Sequence, residues 1–480
     1  MSRSLLSLYG WRYPVALVYM LQSTEYQARP YLFWYWQTTN FSRVTYRRTL
    51  DRTRAARLLL FALRLGMFAQ IVAGLVFIAL WYWNDLAGGW QFGAALLLAY
   101  PIVWAHLVVL PLIVGRFLIV KPKQRRVIRS SEKIFKKHPG MILAVVGSYG
   151  KTSMKELLLT VLGGSKKVAA TPANKNVSIS HAYFARKLAG DEDLVIVEYG
   201  EGAPGDVARF AKSTHPTHAV ITGVAPAHLD HYKTVERAAA DIFSVTRFVD
   251  AGHVFVNEES PFIESHVKGQ KYQLYNQHGA LGWKVTDIEV GIDGTKFVLS
   301  KGDRSLKLHS GLLGRHQVGP LAFAAALGAE LGLTNEEIKA GVAATKPFEH
   351  RMQPYNLVGA WIIDDTYNGN IEGIRAGTAL LRELDAKRKI YVTPGLVDQG
   401  RQSKQVHEEM GRLIAAANPD IVVLMSNSAA PSILAGLKSA AFAGEVIVED
   451  DPLGFYVNLQ AFVAGGDVVL MQNDWTDNYA

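Results

Sequence analysis

The chain reads as an α/β protein: a phosphate-loop domain built on a parallel sheet, then a smaller doubly wound domain, with an α-helical transmembrane hairpin ahead of both. Three observations predict this. Across residues 141–160 an apolar run breaks at Gly147 and resumes with helical spacing after Ser153, giving strand, phosphate loop and helix in order. Beyond residue 140, apolar strand-like runs alternate with helical patterns. Before it, residues 65–83 and 92–115 are free of Asp, Glu, Lys and Arg and long enough to cross a hydrocarbon layer.

Composition narrows the class. A chain of 480 residues predicts two or three domains. It has no cysteine, which excludes disulfides, thiolate metal sites and cysteine nucleophiles. The net charge is +9, yet seven arginines from Arg43 to Arg64 face only Asp51, and nine Lys or Arg from Arg116 to Lys137 face only Glu132. Those two clusters exceed the whole excess, so the remainder is mildly acidic and nucleic acid is not the expected partner. Both clusters flank apolar spans. Residues 84–90, between the spans, carry no Lys or Arg, so the positive-inside rule places both termini and the later domains in the cytoplasm of a multi-pass protein of the inner (cytoplasmic) membrane. Trp81, Tyr82, Trp83 and Trp90 fit an outer interfacial belt, and membrane lipid is an expected partner. The first span comes too late for a signal peptide. Pro101 and Pro111 predict kinks in the second span. His106 between them reads either as a functional intramembrane group or, more simply, as a neutral hydrogen-bonded histidine. Residues 1–40, rich in Tyr, Trp and Phe, predict cytoplasmic or interfacial helices.

The organising stretch carries chemistry. Gly147 and Gly150 let amide groups turn toward an anion, and the following helix adds its positive end. Lys151 supplies a mobile cation and the Thr152 hydroxyl suits Mg²⁺. The spacing departs from a full Walker A pattern, because Val145 stands where the first glycine would be. Asn174 and Asn176 are either turn residues or ligand contacts. The buried-type strand over 193–200 puts Glu198 at the edge where parallel sheets bind ligands. A third strand leads to His228, Asp230 and His231. Short alternating segments over 283–309 predict an antiparallel sheet on the same domain, an Ala- and Leu-rich helix follows Pro320, and Thr334 to Glu337 forms a capping box. Boundaries fall at 1–138, 139–346 and 347–480.

Gly147-Ser-Tyr-Gly-Lys-Thr-Ser153, Asn174-Lys-Asn176, Val195-Ile-Val-Glu-Tyr-Gly200 and Thr222-Gly-Val-Ala-Pro-Ala-His-Leu229 resemble the successive motifs of the Mur ligase family. Gly314-Arg-His-Gln317, Arg351, Ile362-Ile-Asp-Asp-Thr-Tyr-Asn-Gly-Asn370 and Val392 to Gly400 followed by His407 continue the match in family order to the C-terminus. The resemblance implies an ATP-dependent ligase that forms an amide bond through an acyl phosphate, with a cell-envelope precursor and an amino acid or dipeptide as substrates. The subgroup it points to adds D-alanyl-D-alanine to a UDP-N-acetylmuramoyl-tripeptide-like acceptor. It implies that Gly147, Ser148, Gly150, Lys151, Thr152 and Ser153 hold the ATP phosphates, with Asn174 and Asn176 beside them. Thr152, Glu198 and His228 would ligate Mg²⁺, Gln317 would face adenine, and Asp365 and Tyr367 would meet ribose and base. Arg351 would reach the γ-phosphate on domain closure or, equally, form an interdomain salt bridge.

The departures are specific. A lysine that the family carries, carbamoylated, falls at Ile242, and the adjacent Asp241 is the residue expected to supply its carboxylate. Pro320 replaces an asparagine near adenine. Residues 466–474 lack the Lys-Gly-Ser-Arg ending that bears on the acceptor site. The N-terminal domain that grips uridine diphosphate is replaced by the hairpin, which either tethers the ligase or helps present a lipid-linked glycopeptide. The rival readings are a polyglutamate-type amino-acid ligase and a membrane scaffold with a degenerate ATP site. Oligomeric state is not legible.

Overall fold

The structure, a computed structural model, describes the chain except residues 1–3, 25, 44–49, 85, 174, 227–228, 368, 398, 400–401 and 474–480. It divides into two compact units, Met1–Arg126 and Val127–Ala480.

Two helices are long and apolar enough to cross a membrane by length and composition: Arg54–Asn84, in the first unit, and a helical run over Gly89–Lys137, which begins in the first unit and continues past its end. The first pairs with the start of the second, where the Gln70 amide donates to the Leu96 carbonyl at 3.1 Å. Pro101 stays inside the helix Gly89–Leu107. Pro111 acts differently: the helix ends at Leu107 and resumes at Val109, four residues before Pro111 being the carbonyl its ring would meet. A π-helical turn follows at Arg116–Val120. The aromatic N-terminal stretch forms helices Tyr13–Ser23 and Ala28–Gln37, which pack on the apolar pair. Their tyrosines tie them down: the hydroxyls of Tyr9, Tyr13 and Tyr31 donate to the carbonyls of Leu98, Pro101 and Ala105 at 2.6, 3.0 and 2.9 Å. His106 Nδ1 lies 2.8 Å from the Ile102 carbonyl, flanked by the rings of Tyr35 and Trp36.

The second unit holds two sheets. The larger contains β1 (Met141–Val146), β2 (Val168–Ala170), β3 (Leu194–Glu198), β4 (His218–Ile221), β5 (Val254–Asn257), β6 (Gln273–Asn276), β7 (Gly279–Ala280), β8 (Trp283–Gly291), β9 (Gly294–Lys301) and β10 (Arg304–Ser310). Their spatial order is β10-β9-β8-β7-β6-β5-β4-β1-β3-β2. The six strands from β2 to β6 across β1 are parallel, and β7 to β10 extend the sheet as antiparallel hairpins, the segment expected at 283–309. Strands β1 and β3 are buried along nearly their whole length, which is why they read as unbroken apolar runs rather than alternating ones. Helices Lys151–Gly163 and Val318–Glu330 cover one face, with Leu158, Leu162, Phe323 and Leu327 in the core between.

The smaller sheet contains β11 (Gln353–Leu357), β12 (Ala360–Asp365), β13 (Lys389–Thr393), β14 (Ile421–Met425), β15 (Glu445–Glu449) and β16 (Val468–Gln472). Its order is β11-β12-β16-β13-β14-β15, parallel except at the β11 edge. The expected capping box is present at helix Asn335–Ala343, with Thr334 and Glu337 exchanging side-chain and backbone bonds.

Candidate nucleotide site

Strand β1 lies between β3 and β4, so the chain turns to one side of it and then to the other. The carboxyl ends of these three strands therefore border the crevice where open α/β sheets bind ligands. Val145 is level with Glu198, and Val146 with Ile221, so the loops that leave these strands start at one height.

The loop after β1 is held by the end of β4. Ser148 N–H donates to the Gly223 carbonyl at 2.8 Å, and the Thr222 hydroxyl donates to the Tyr149 carbonyl. Gly147 has φ +152°, and a Cβ there would meet Thr222 Oγ1 at 2.3 Å; Gly223 has φ +154° and would drive a Cβ into the Tyr149 ring. Both positions therefore require glycine. Burial pushes the Tyr149 phenol up to about 12, so it is neutral where it closes the loop. Helix Lys151–Gly163 opens at Lys151, and its first regular bond runs from Met154 N–H to the Gly150 carbonyl at 2.9 Å. The amides of Lys151, Thr152 and Ser153 thus precede the ladder and face the loop as an anion-binding end.

Acidic side chains meet this helix end. Glu198, 1% exposed, accepts from the Thr152 hydroxyl at 3.1 Å and from the Asn176 amide at 3.3 Å, both on Oε1. Its Oε2 lies 3.3 Å from the ammonium of Lys155, which has no exposed surface and also donates to the Ala173 carbonyl. Lys151 Nζ contacts the Gly147 carbonyl and Glu201 Oε2, each at 2.6 Å. Among the described residues, Ser148 Oγ and Glu198 Oε2 are buried without a hydrogen-bond partner. A hydroxyl with no acceptor beside a ring of amides fits a phosphate, and a buried carboxylate that reaches a threonine hydroxyl suits a hard divalent cation.

Behind Glu198, His181 Nε2 lies 2.8 Å from the Glu198 carbonyl, and burial lowers the imidazole to about 4, keeping it neutral. Asn174 and His228 lie outside the described residues.

Asp241, expected to supply the carboxylate of the family's carbamoylated lysine, has both side-chain oxygens engaged within the protein. Its Oδ1 accepts from Gly205 N–H at 2.7 Å and its Oδ2 from the Tyr232 hydroxyl at 2.8 Å, and the residue is 7% exposed. Burial first, and the adjacent carboxylate second, raise the Tyr232 phenol far above its ordinary range. Both oxygens are thus engaged in anchoring the 203–205 segment to helix Val235–Ile242. One step along a helix turns a side chain by roughly 100°, which separates the direction of Asp241 from that of Ile242.

The remaining expected residues sit toward the smaller sheet. Gln317 donates its amide to His316 Nε2 at 2.8 Å, and burial lowers His316 to about 4. Asp365, at the end of β12, accepts from Met352 N–H at 3.2 Å and from the Gln472 amide at 2.8 Å. Burial nevertheless raises it to about 6. The Arg351 guanidinium stacks 4.4 Å above the Tyr367 ring, which is 41% exposed. No salt bridge of Arg351 occurs among the described contacts, which instead give it a cation–π partner. His407 is buried at the start of helix Ser403–Ala417, with Nε2 accepting from Leu396 N–H at 2.9 Å and Nδ1 donating to the Ser403 carbonyl at 2.7 Å.

Family models agree with this geometry. A model of the Mur ligase middle domain matches residues 145–328, and one of the Mur ligase glutamate ligase domain matches 350–472. This chain belongs to the Mur ligase family. The UDP-N-acetylmuramoyl-tripeptide–D-alanyl-D-alanine ligase of Escherichia coli is 28% identical over 293 residues, 59% of this chain and 64% of that one, so the chain spans somewhat less than two thirds of that relative. The enzyme of the same name from Mycobacterium leprae is 28% identical over 367 residues, covering 69% and 70%. Among solved structures, MurF from Acinetobacter baumannii superposes with a TM-score of 0.64 at 22% identity, covering 73% of this chain and 77% of that one. MurF ligase from Thermotoga maritima in complex with ADP gives 0.62 at 22%, covering 73% and 80%. The Mur ligase fold of the second unit is thereby established, and residues before 145 lie outside both family matches.

Sequence reasoning missed Lys155 and Glu201. Lys155 stands one helical turn after Lys151, and Glu201 three residues after Glu198. Both spacings were visible, but neither signals burial by itself.

Proposed function

We propose that this chain is an ATP-dependent ligase that forms an amide bond on a cell-envelope precursor, adding D-alanyl-D-alanine to a UDP-N-acetylmuramoyl-tripeptide-like acceptor. The observation that carries the reading is the meeting of Lys151, Thr152 and Glu198 at the carboxyl ends of β1 and β3, with an orphan hydroxyl at Ser148 beside them. The names of the relatives supply the substrates.

In this reading Lys151, Ser148 and the amides of residues 150–153 hold the ATP phosphates, while Gln317, Asp365 and Tyr367 contact the nucleoside. Thr152, Glu198 and His228 would hold Mg²⁺, which would neutralise phosphate charge when bound. A substrate carboxylate oxygen attacks the γ-phosphorus and the bond to the ADP oxygen breaks. The amine of the second substrate then attacks the acyl carbon, phosphate leaves with one carboxylate oxygen, and the amine gives up a proton. Little covalent work falls to the protein, so positioning and charge dominate. Arg351, released from Tyr367, is the cation that would approach the γ-phosphate. Asp241, with both oxygens engaged, is a positioning residue for the 203–205 segment rather than a phosphate-side ligand.

We place the ligase in the cytoplasmic membrane with both termini and the catalytic unit inside; the two long apolar helices and their basic flanks support this. Incubating the purified chain with ATP, Mg²⁺, UDP-N-acetylmuramoyl-tripeptide and D-alanyl-D-alanine tests the reading by mass spectrometry. A dipeptide increment supports it. Single amino-acid additions would favour a polyglutamate-type synthase, and no ATP-dependent product would leave the scaffold. Running a lipid-linked acceptor beside the soluble one separates a tether from a presenting role.

A further inference from the structure

We infer that Glu201 is a latch on the phosphate-loop lysine: it competes with nucleotide phosphates for the Lys151 ammonium and thereby sets nucleotide affinity. The inference rests on the reading that this loop binds a nucleoside phosphate.

The contact is short and enclosed. Lys151 Nζ lies 2.6 Å from Glu201 Oε2, with the two side chains 13% and 3% exposed. The same ammonium reaches the Gly147 carbonyl at 2.6 Å, so two of its three donors are engaged, one by the phosphate loop's own backbone and one by Glu201. Such a pair differs from a surface ion pair, because solvent does not stand ready to take over either partner. Nor is Glu201 on a loose segment. Gly200 N–H donates to the Asn176 carbonyl at 2.8 Å on one side. On the other, Ala203 N–H donates to Asp206 at 3.0 Å and Gly205 N–H to Asp241 at 2.7 Å. Asp241 therefore helps hold the latch.

The consequence is electrostatic. When Lys151 turns to a phosphate, it leaves a buried carboxylate that has lost its counter-charge and now stands near an anion. Lys155 does not replace it, being engaged with Glu198 and the Ala173 carbonyl. A nucleotide that draws Lys151 to its phosphates therefore displaces Glu201, and part of its binding energy is offset by that displacement. Glutamine at this position keeps the shape but removes the charge that competes.

The test is ADP affinity of the full chain in detergent, by titration calorimetry at fixed Mg²⁺ and pH. Glu201→Gln is expected to tighten binding by about tenfold or more, the range of close charge pairs. Glu201→Asp, whose shorter arm lengthens the contact, should fall between the variant and the native chain. An unchanged or weaker affinity in Glu201→Gln, with its Tm retained, overturns the latch. If Glu201→Gln fails to fold, Glu201→Asp decides on the same criterion. Native chain that binds no ADP overturns the nucleotide reading itself, and the latch with it.

Discussion

A lysine with no exposed surface requires a fixed counter-charge, and Lys155 has it in Glu198 at 3.3 Å. Lys155→Met leaves that carboxylate buried and unpaired, so a loss of about 3–5 kcal/mol is expected in denaturant unfolding. Adding Glu198→Gln should recover much of it, since both charges are then gone; no recovery would place the lysine's contribution elsewhere. His407 makes a pH prediction of definite sign. Burial lowers its folded-state pKa, while the bonds to Leu396 and Ser403 fit one neutral tautomer. The unfolded chain then takes up the proton first as pH falls, so stability is fully present above the ordinary value of about 6.5 and declines toward the lowered one. The Tm should drop between about pH 7.5 and about pH 5, and His407→Gln should flatten that drop. An equal drop in the variant would assign it to other groups. At this scale the sequence exposed Lys151, Thr152 and Glu198, whose order along strand and loop carries their chemistry. Lys155 and Glu201 were hidden because burial of a charge is a property of neighbours far along the chain.

Elements divide the same way. The Thr334–Glu337 capping box needed only four consecutive residues to be read, and it is present as read. Thr334→Ala should reduce stability by about 1 kcal/mol in urea unfolding, without change in nucleotide affinity. The phosphate loop is an element whose shape depends on a second strand. A Cβ at Gly147 would stand 2.3 Å from Thr222 Oγ1, so Gly147→Ala is expected to abolish ADP binding while leaving most of the fold. Retained affinity would show that the loop relaxes without harm. The buried strands β1, β3 and β14 were legible as apolar runs, and the helix break at Val108 follows from Pro111. The direction of Asp241 was not legible, because it depends on where helix Val235–Ile242 lies against the 203–205 segment.

For the whole molecule, two sheets in two successive α/β domains were foreseeable from the alternation of strands and helices, and the order of strands around β1 was not. That order depends on which side of β1 each crossover takes. The first unit was legible in its two apolar helices and not in its packing, since the tyrosine hydroxyls that meet Leu98, Pro101 and Ala105 lie scores of residues away in sequence. If those helices cross the bilayer, the full chain sediments with membranes after an alkaline wash. Because the chain has no cysteine, a single cysteine at Ala87 should react with an impermeant reagent from outside, and one at Gly164 only after permeabilisation. Reaction of both from outside would reject the topology. The central claim is that a bound nucleoside triphosphate activates a carboxylate by direct phosphoryl transfer, and oxygen-18 in the acceptor carboxylate tests it most directly. Turnover should release inorganic phosphate carrying one labelled oxygen, and phosphate released unlabelled alongside amide product would contradict the account.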